Sequence, residues 1–177
     1  MLSYIVFILA IAAIYALLAQ SLVPIWGQTG MVNLGLVGFF AIGAYTSALL
    51  TTDFGWPAFT GPIMGLIAGG LLGLAVTFST LRLRDDYLAI VTLGFAEVVR
   101  IVASNEIWLT GGTDGIAGIP ALFDRDGGLM YHVPFRGLAT VICIVTGLII
   151  TRLVKSPWGR VLRAVRDDQV VASVAGK

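Results

Sequence analysis

Charge is what this sequence lacks. No charged side chain occurs before Asp53, and over all 177 residues only 12% are Asp, Glu, Lys or Arg. A water-soluble domain carries about a quarter of its residues charged, because its surface faces water. With 58% hydrophobic residues, this chain does not have the polar surface to stay in solution and reads as a polytopic membrane protein. The formal net charge of +1 offers no electrostatic footprint for nucleic acid. Cysteine and histidine are scarce as well. Cys143 stands alone inside an apolar run, which excludes a disulfide framework and a thiolate metal site and leaves an inert buried thiol. His132 is the one histidine and falls in a polar connection, where a solvated or locally bonded ring is expected. No metal-ligand cluster or nucleophile–base pairing is visible, so no catalytic residue and no cofactor is expected.

What the sequence does have is long apolar runs. Five of them, roughly 1–22, 33–52, 58–80, 87–104 and 137–154, are long enough to cross a bilayer. The first has no basic residue ahead of it and no small-residue cleavage site behind it, so it reads as a retained span rather than a signal peptide. Orientation follows from the cations. Arg82 and Arg84 follow the third run, and Arg152, Lys155, Arg160, Arg163, Arg166 and Lys177 flank or follow the fifth. The 105–136 connection sets Arg125 and Arg136 against Glu106, Asp114, Asp124 and Asp126. The expected fold is therefore all-α: a polytopic transmembrane helix bundle of about five spans, with the N-terminus outside and the C-terminus cytoplasmic.

Between the first two runs lies the neutral stretch "PIWGQTGMVN" (24–33). Pro24, Gly27 and Gly30 break helix, while Gln28, Thr29 and Asn33 offer uncharged hydrogen-bonding groups. It fits a turn at the interface anchored by Trp26. It also fits a broken segment lining a water-filled path, where irregular backbone at membrane depth is tolerated. In the third run Gly61, Gly65, Gly69 and Gly73 recur every fourth residue, a stripe that lets another helix approach closely.

The fourth run contains "LGFAEVVRIV" (93–102), in which Glu97 and Arg100 project from one face, with Ser104 and Asp86 in the same sector. If Tyr87 marks the cytoplasmic interface, Glu97 lies about 15 Å in, near the middle of a ~30 Å hydrocarbon core. Charge there is expensive and needs a partner or water. Three readings fit: a structural pair within the bundle, a lining of the solute path, or a wet vestibule. Just beyond runs "LTGGTDGIAGIP" (109–120), whose glycines permit left-handed turns. No Lys follows them, so this is not a nucleotide-phosphate loop but an ordered external turn or an outer gate.

The last stretch, "SPWGRVLRAVRDDQVVASVAGK" (156–177), begins with Ser156 as N-cap and Pro157 at the first helical position. Trp158, Val161, Leu162 and Val165 share one face, and Arg160, Arg163 and Arg166 another. Val170, Val171 and Val174 would fall on the opposite side of an unbroken helix, so a break is expected at Asp167–Asp168, with a second short helix ending near Gly176. Such a pair of amphipathic helices could rest on anionic membrane lipid or insert into a groove on a partner protein.

Taken in order and spacing, "WGQTGMVNLGLVGFFAIGAYTSALL", "LRLRDDYLAIVTLGFAEVVRIV", "LTGGTDGI" and "SPWGRVLRAVRDDQVVASVAG" resemble the permease subunits of branched-chain amino acid ABC importers, of the LivM type. The resemblance covers nearly the whole chain. It implies import of branched-chain or other neutral amino acids, or small amides such as urea, between two permease subunits. It also implies two cytoplasmic ATP-binding subunits and a periplasmic solute-binding protein as partners, in a bacterial inner membrane. Residues 1–154 would be a partial transmembrane permease domain and 155–177 a cytoplasmic coupling segment. By the same resemblance Gly159, Arg160, Arg163, Ala164, Arg166, Asp167, Asp168, Ala172 and Gly176 engage an ATP-binding subunit. Gln28, Asn33, Gly35, Glu97, Arg100, Thr110, Gly111 and Gly112 match family motifs at breaks beside the solute path. Members of that family continue past this loop with further helices, which implies a truncated, fragmentary or split permease. A non-transporting remnant or scaffold is the competing expectation. An ATP-independent channel fits less well, given the ATPase-docking pattern of the tail.

Overall fold

The computed structural model describes residues 2–80, 83, 85–120, 129–168, 172 and 174, with backbone alone for 2, 3, 5–7, 85, 86 and 129–136. Arg82, Arg84, Gly176, Lys177 and the 121–128 part of the polar connection lie outside the described residues, as do the side chains of Asp86, His132 and Arg136. Every regular element among the described residues is helical: α1 (Leu2–Leu22) with a π-helical continuation (Val23–Thr29), α2 (Leu36–Thr52), α3 (Thr60–Thr80), α4 (Asp85–Asn105), α5 (Ile107–Thr110), a 3₁₀ turn (Gly112–Asp114), α6 (Leu129–Lys155) and α7 (Pro157–Asp167). Four stretches, Ile8–Thr29, Thr60–Thr80, Tyr87–Asn105 and Gly137–Lys155, are long and apolar enough to span a membrane, and Leu36–Thr52 is a shorter apolar helix of 17 residues. These correspond to the five expected runs.

Two boundaries differ from expectation. Pro24 and Gly27 do not end the first helix; it continues to Thr29 as a π-helix with Pro24 in its first positions. A proline inside an α-helix lacks the donor and collides with the carbonyl four residues back, and widening the turn is one way to relieve both. The helix stops instead at Gly30, whose φ of 75° is open to glycine, and whose N–H donates to the Trp26 carbonyl at 3.2 Å. The last apolar run begins earlier than its hydropathy suggests. α6 takes in 27 residues from Leu129, about 40 Å of helix, so it reaches into the polar connection.

The chain falls into two compact units, residues 1–32 with 123–177, and residues 33–122. In the first, α1 packs on α6 through a polar knot. The Gln20 amide donates from Nε2 to Cys143 Sγ at 3.3 Å, and its Oε1 accepts from the Thr146 hydroxyl at 3.0 Å. Gly147 leaves room for the Gln20 side chain. Hydrogen bonds of this kind help hold helices together where no hydrophobic effect operates between them.

In the second unit, α2 lies between α3 and α4. Gly43 meets Gly65, Ser47 and Thr51 meet Gly61, and the Phe39 carbonyl approaches Gly69, an antiparallel register stepping four residues at a time along both helices. On its other side α2 sets Gly35 against Thr92 and Gly38 against Phe95 and Ala96, and the rings of Phe39 and Phe95 lie 4.8 Å apart. Small residues on both sides of α2 let two neighbours approach its backbone. The glycine stripe of α3 is only partly used, because a Cβ at Gly73 would meet nothing within 4 Å.

Among the described residues, the only buried hydrophobic side chains are Ala48 and Ala172. Leu66, Phe78, Ile90 and Leu148 all stand outward. A chain that turns its large apolar side chains out is solvated by lipid or by other membrane-embedded chains rather than by water.

Candidate solute path and coupling segment

Glu97 and Arg100 form a bidentate ion pair on α4, Nη2 to Oε1 at 2.6 Å and Nε to Oε2 at 2.9 Å. Both side chains stay well exposed on this chain, 66% for Arg100 and 52% for Glu97. The pair therefore does not tie α4 to another helix of its own unit. Ser104, one turn on, spends its hydroxyl on the Arg100 carbonyl at 2.8 Å. Arg100 and Ser104 edge a cleft of about 220 Å³ between α2 and α4, whose walls include Val37, Ala41, Tyr45, Val99 and Ala103. An exposed, self-neutralised pair beside a mostly apolar cleft suits a wet path or a contact with another chain, and it suits hydrocarbon poorly.

Three backbone donors of the irregular stretch after Gly30 meet side-chain oxygens. The Met31 N–H reaches Thr29 Oγ1 at 3.4 Å, the Leu34 N–H reaches Thr92 Oγ1 at 3.1 Å, and the Gly35 N–H is capped by Asn33 Oδ1 at 2.8 Å. Asn33 and Gly35 thus start α2, and Gly35 lies close enough to Thr92 that a side chain there would press on its carbonyl and Cβ. Thr92, 1% exposed, was not singled out from the sequence. A threonine in an apolar helix usually bonds only its own preceding turn, as this one does to Leu88 and Ala89, and nothing in the pattern marks the extra acceptor role.

Thr110 is buried at the far end of α4. Its hydroxyl contacts the carbonyls of Ala103 at 2.7 Å and Glu106 at 2.9 Å, and it accepts from the Gly112 N–H at 3.2 Å. Gly111, at φ 75°, sits where any Cβ would strike the Gly115 carbonyl, and Gly112 packs on Ile107 and the Ser104 carbonyl. The three residues form one ordered glycine turn folded against the end of α4.

α7 follows α6 through a tight turn. Ser156 is at the N-cap position, but its Oγ donates to the Leu153 carbonyl at 2.6 Å instead of capping α7. Gly159 is buried over the Val154 carbonyl, where a side chain has no room. The expected break at the aspartates is present: α7 ends at Asp167, and Asp168 is extended at φ −161° and ψ 112°. The Ala172 N–H bonds the Asp168 carbonyl at 3.0 Å, and the second short helix expected after the break lies largely outside the described residues. Arg163 and Arg166 turn toward their own chain, Arg163 Nη1 to Gln28 Oε1 at 3.2 Å and Arg166 Nη1 to the Gly27 carbonyl at 3.0 Å. Arg160 and Asp167 are exposed, Ala164 is half-buried, and Trp158, absent from the expected coupling residues, is 71% exposed. A bulky outward indole just past a membrane span was the available signal.

Long apolar helices, small-residue helix contacts and an amphipathic helix after the last described span define an all-α, multi-pass integral membrane protein. The chain belongs to the branched-chain amino acid transport permeases: the family model "Branched-chain amino acid transport system / permease component" matches residues 4–177. The family is one of non-enzymatic membrane subunits, and its bacterial members place the chain in the inner membrane. The chain is 38% identical to the high-affinity branched-chain amino acid transport system permease protein LivM of Escherichia coli K12, over 96% of its own length and 45% of that relative's. To the protein of the same name from Salmonella typhimurium LT2 it is 39% identical, over 92% and 44%. To the probable branched-chain amino acid transport permease protein LivM of Methanocaldococcus jannaschii it is 26% identical, over 93% and 57%. The chain therefore spans about half the length of the curated relatives it matches. No solved structure matches it.

Proposed function

We propose that this chain serves in an ATP-driven importer of branched-chain or related neutral amino acids, or of small amides such as urea, as a permease component lining part of the solute path. A second permease subunit, two cytoplasmic ATP-binding subunits and a periplasmic solute-binding protein complete the machine. The observation that carries the reading is α7: an amphipathic helix set directly after a span and stopped at Asp167, where the backbone becomes extended. That form suits a rigid handle seated in a groove of a partner. Glu97 and Arg100 sit on the membrane-embedded part, where a polar solute needs groups that exchange for its hydration shell. Gln28, Asn33, Gly35, Thr110, Gly111 and Gly112 shape the ends of the spans beside that path.

The coupling surface is α7 itself, with Trp158 exposed as an anchor on its apolar face and Arg160 and Asp167 exposed on the opposite, polar face. A buried tryptophan at an interface commonly contributes more than about 2 kcal/mol when truncated. Trp158→Ala combined with Arg160→Glu is therefore expected to reduce capture of the ATP-binding subunit at least tenfold, measured by pull-down of the tagged, membrane-extracted complex. Undiminished capture by a folded double variant would overturn the assignment of α7.

A further inference from the structure

Two exposed arginines of α7 join parts of the chain far apart in sequence. Arg166 Nη1 donates to the Gly27 carbonyl at 3.0 Å, and Arg163 Nη1 donates to Gln28 Oε1 at 3.2 Å. The stem of Arg166 also lies against Gly30, so close that a Cβ there would come within 3.0 Å of its Cγ. All three contacts fall on the last turn of the π-helical stretch and its left-handed cap. The carbonyls at a helix C-terminus have no partner in the helix and carry its negative end, so a guanidinium is a favourable occupant.

The target of these contacts matters as much as their number. A π-helical segment at the end of an α-helix has a neighbouring conformation of similar energy, since closing the wide turn moves one residue in or out of the helical ladder. An element with two such arrangements is biased by a group that grips one of them. Arg163 and Arg166 are held on α7, outside the span, while the groups they grip form the end of the first span.

We propose that α7 clamps the π-helical end of α1, with Arg163 and Arg166 as positioning residues that carry a displacement of α7 into the backbone of residues 27–30. The source of the displacement rests on the reading that α7 docks on an ATP-binding subunit; the clamp itself does not. When α7 shifts, Gly27 and Gln28 lose their partners and the π-helical turn is free to rewind, which moves the entrance to the irregular stretch that begins at Gly30.

The test is amide hydrogen exchange on the full chain in lipid nanodiscs, with no ATP-binding subunit present. In Arg163→Gln/Arg166→Gln the amides of 27–31 are expected to exchange about tenfold faster, the effect of losing a hydrogen bond from a charged donor. Residues 10–20 of α1 and 140–152 of α6 keep their rates. Arg160→Gln, which removes the same charge from α7 without touching Gly27 or Gln28, leaves 27–31 unchanged, and Arg166→Lys gives an intermediate rate. Unchanged protection of 27–31 in the double variant overturns the clamp. So does loosening spread equally over α1 and α6, which would make the arginines general structural supports, or an equal response to Arg160→Gln. Because the assay contains no ATP-binding subunit, a failed docking experiment leaves this result independent.

Discussion

Gly65→Leu is expected to separate α2 from α3 and to leave little folded protein. A Cβ at Gly65 would lie 2.5 Å from the Gly43 carbonyl oxygen, an obstruction made of backbone that no rotamer change can relieve. Overpacking a tight core costs about 1–3 kcal/mol, and a helix pair held by close backbone approach has little else to lose. A destabilisation of about 3 kcal/mol or more is expected, a large part of the ~5–15 kcal/mol that holds an ordinary domain together. Unfolding of the purified chain in rising detergent denaturant gives the measurement. Gly73→Leu is the internal comparison: it belongs to the same stripe but its Cβ would meet nothing within 4 Å, so its effect should stay within about 0.5 kcal/mol. Equal tolerance of both substitutions would mean that α2 and α3 do not meet at Gly43 and Gly65.

Arg100→Leu should be nearly as damaging, for a different reason. It leaves the Glu97 carboxylate without the two hydrogen bonds that now neutralise it, about midway through a membrane span. An uncompensated charge there costs at least ~2.5–3.5 kcal/mol on insertion scales, so membrane-inserted yield and thermal midpoint both fall. The double variant Glu97→Leu/Arg100→Leu removes both charges and should recover the yield. Uptake separates the readings of the pair. If it faces the solute path, the double variant inserts and assembles normally but transports at least tenfold more slowly. Full uptake by the double variant would reduce the pair to structural glue. Its high exposure on this chain favours the former.

Much of this architecture is legible in the sequence, because lipid imposes simple rules. Apolar runs of bilayer length mark the spans, and the shift of apolar faces after Asp167 marks the end of α7. The stripe at Gly61 and Gly65 announces close packing. It does not identify the partner, because the complementary residues Gly43, Ser47 and Thr51 are dispersed among aromatic and aliphatic neighbours. The continuation of α1 through Pro24 was hidden for a related reason: proline usually ends a helix, and the choice to widen the turn instead depends on tertiary surroundings. Of the candidate site residues, Glu97 and Arg100 stand out because charge in an apolar helix is rare. The contacts of Arg163 and Arg166 are not legible, since three arginines on one helical face look alike until the Gln28 amide oxygen is brought beside one and the Gly27 carbonyl beside another. Thr92 is hidden in the same way, as the hydrogen bond it accepts comes from a residue 58 positions away.

The permease reading requires α7 to face the cytoplasm, and impermeant maleimide labelling tests that most directly. In a Cys143→Ala background, Arg160→Cys should label only in inside-out vesicles and Thr113→Cys only in right-side-out vesicles or intact cells. Labelling of Arg160→Cys from the periplasmic side would contradict the account, because a handle on that side cannot meet an ATP-binding subunit.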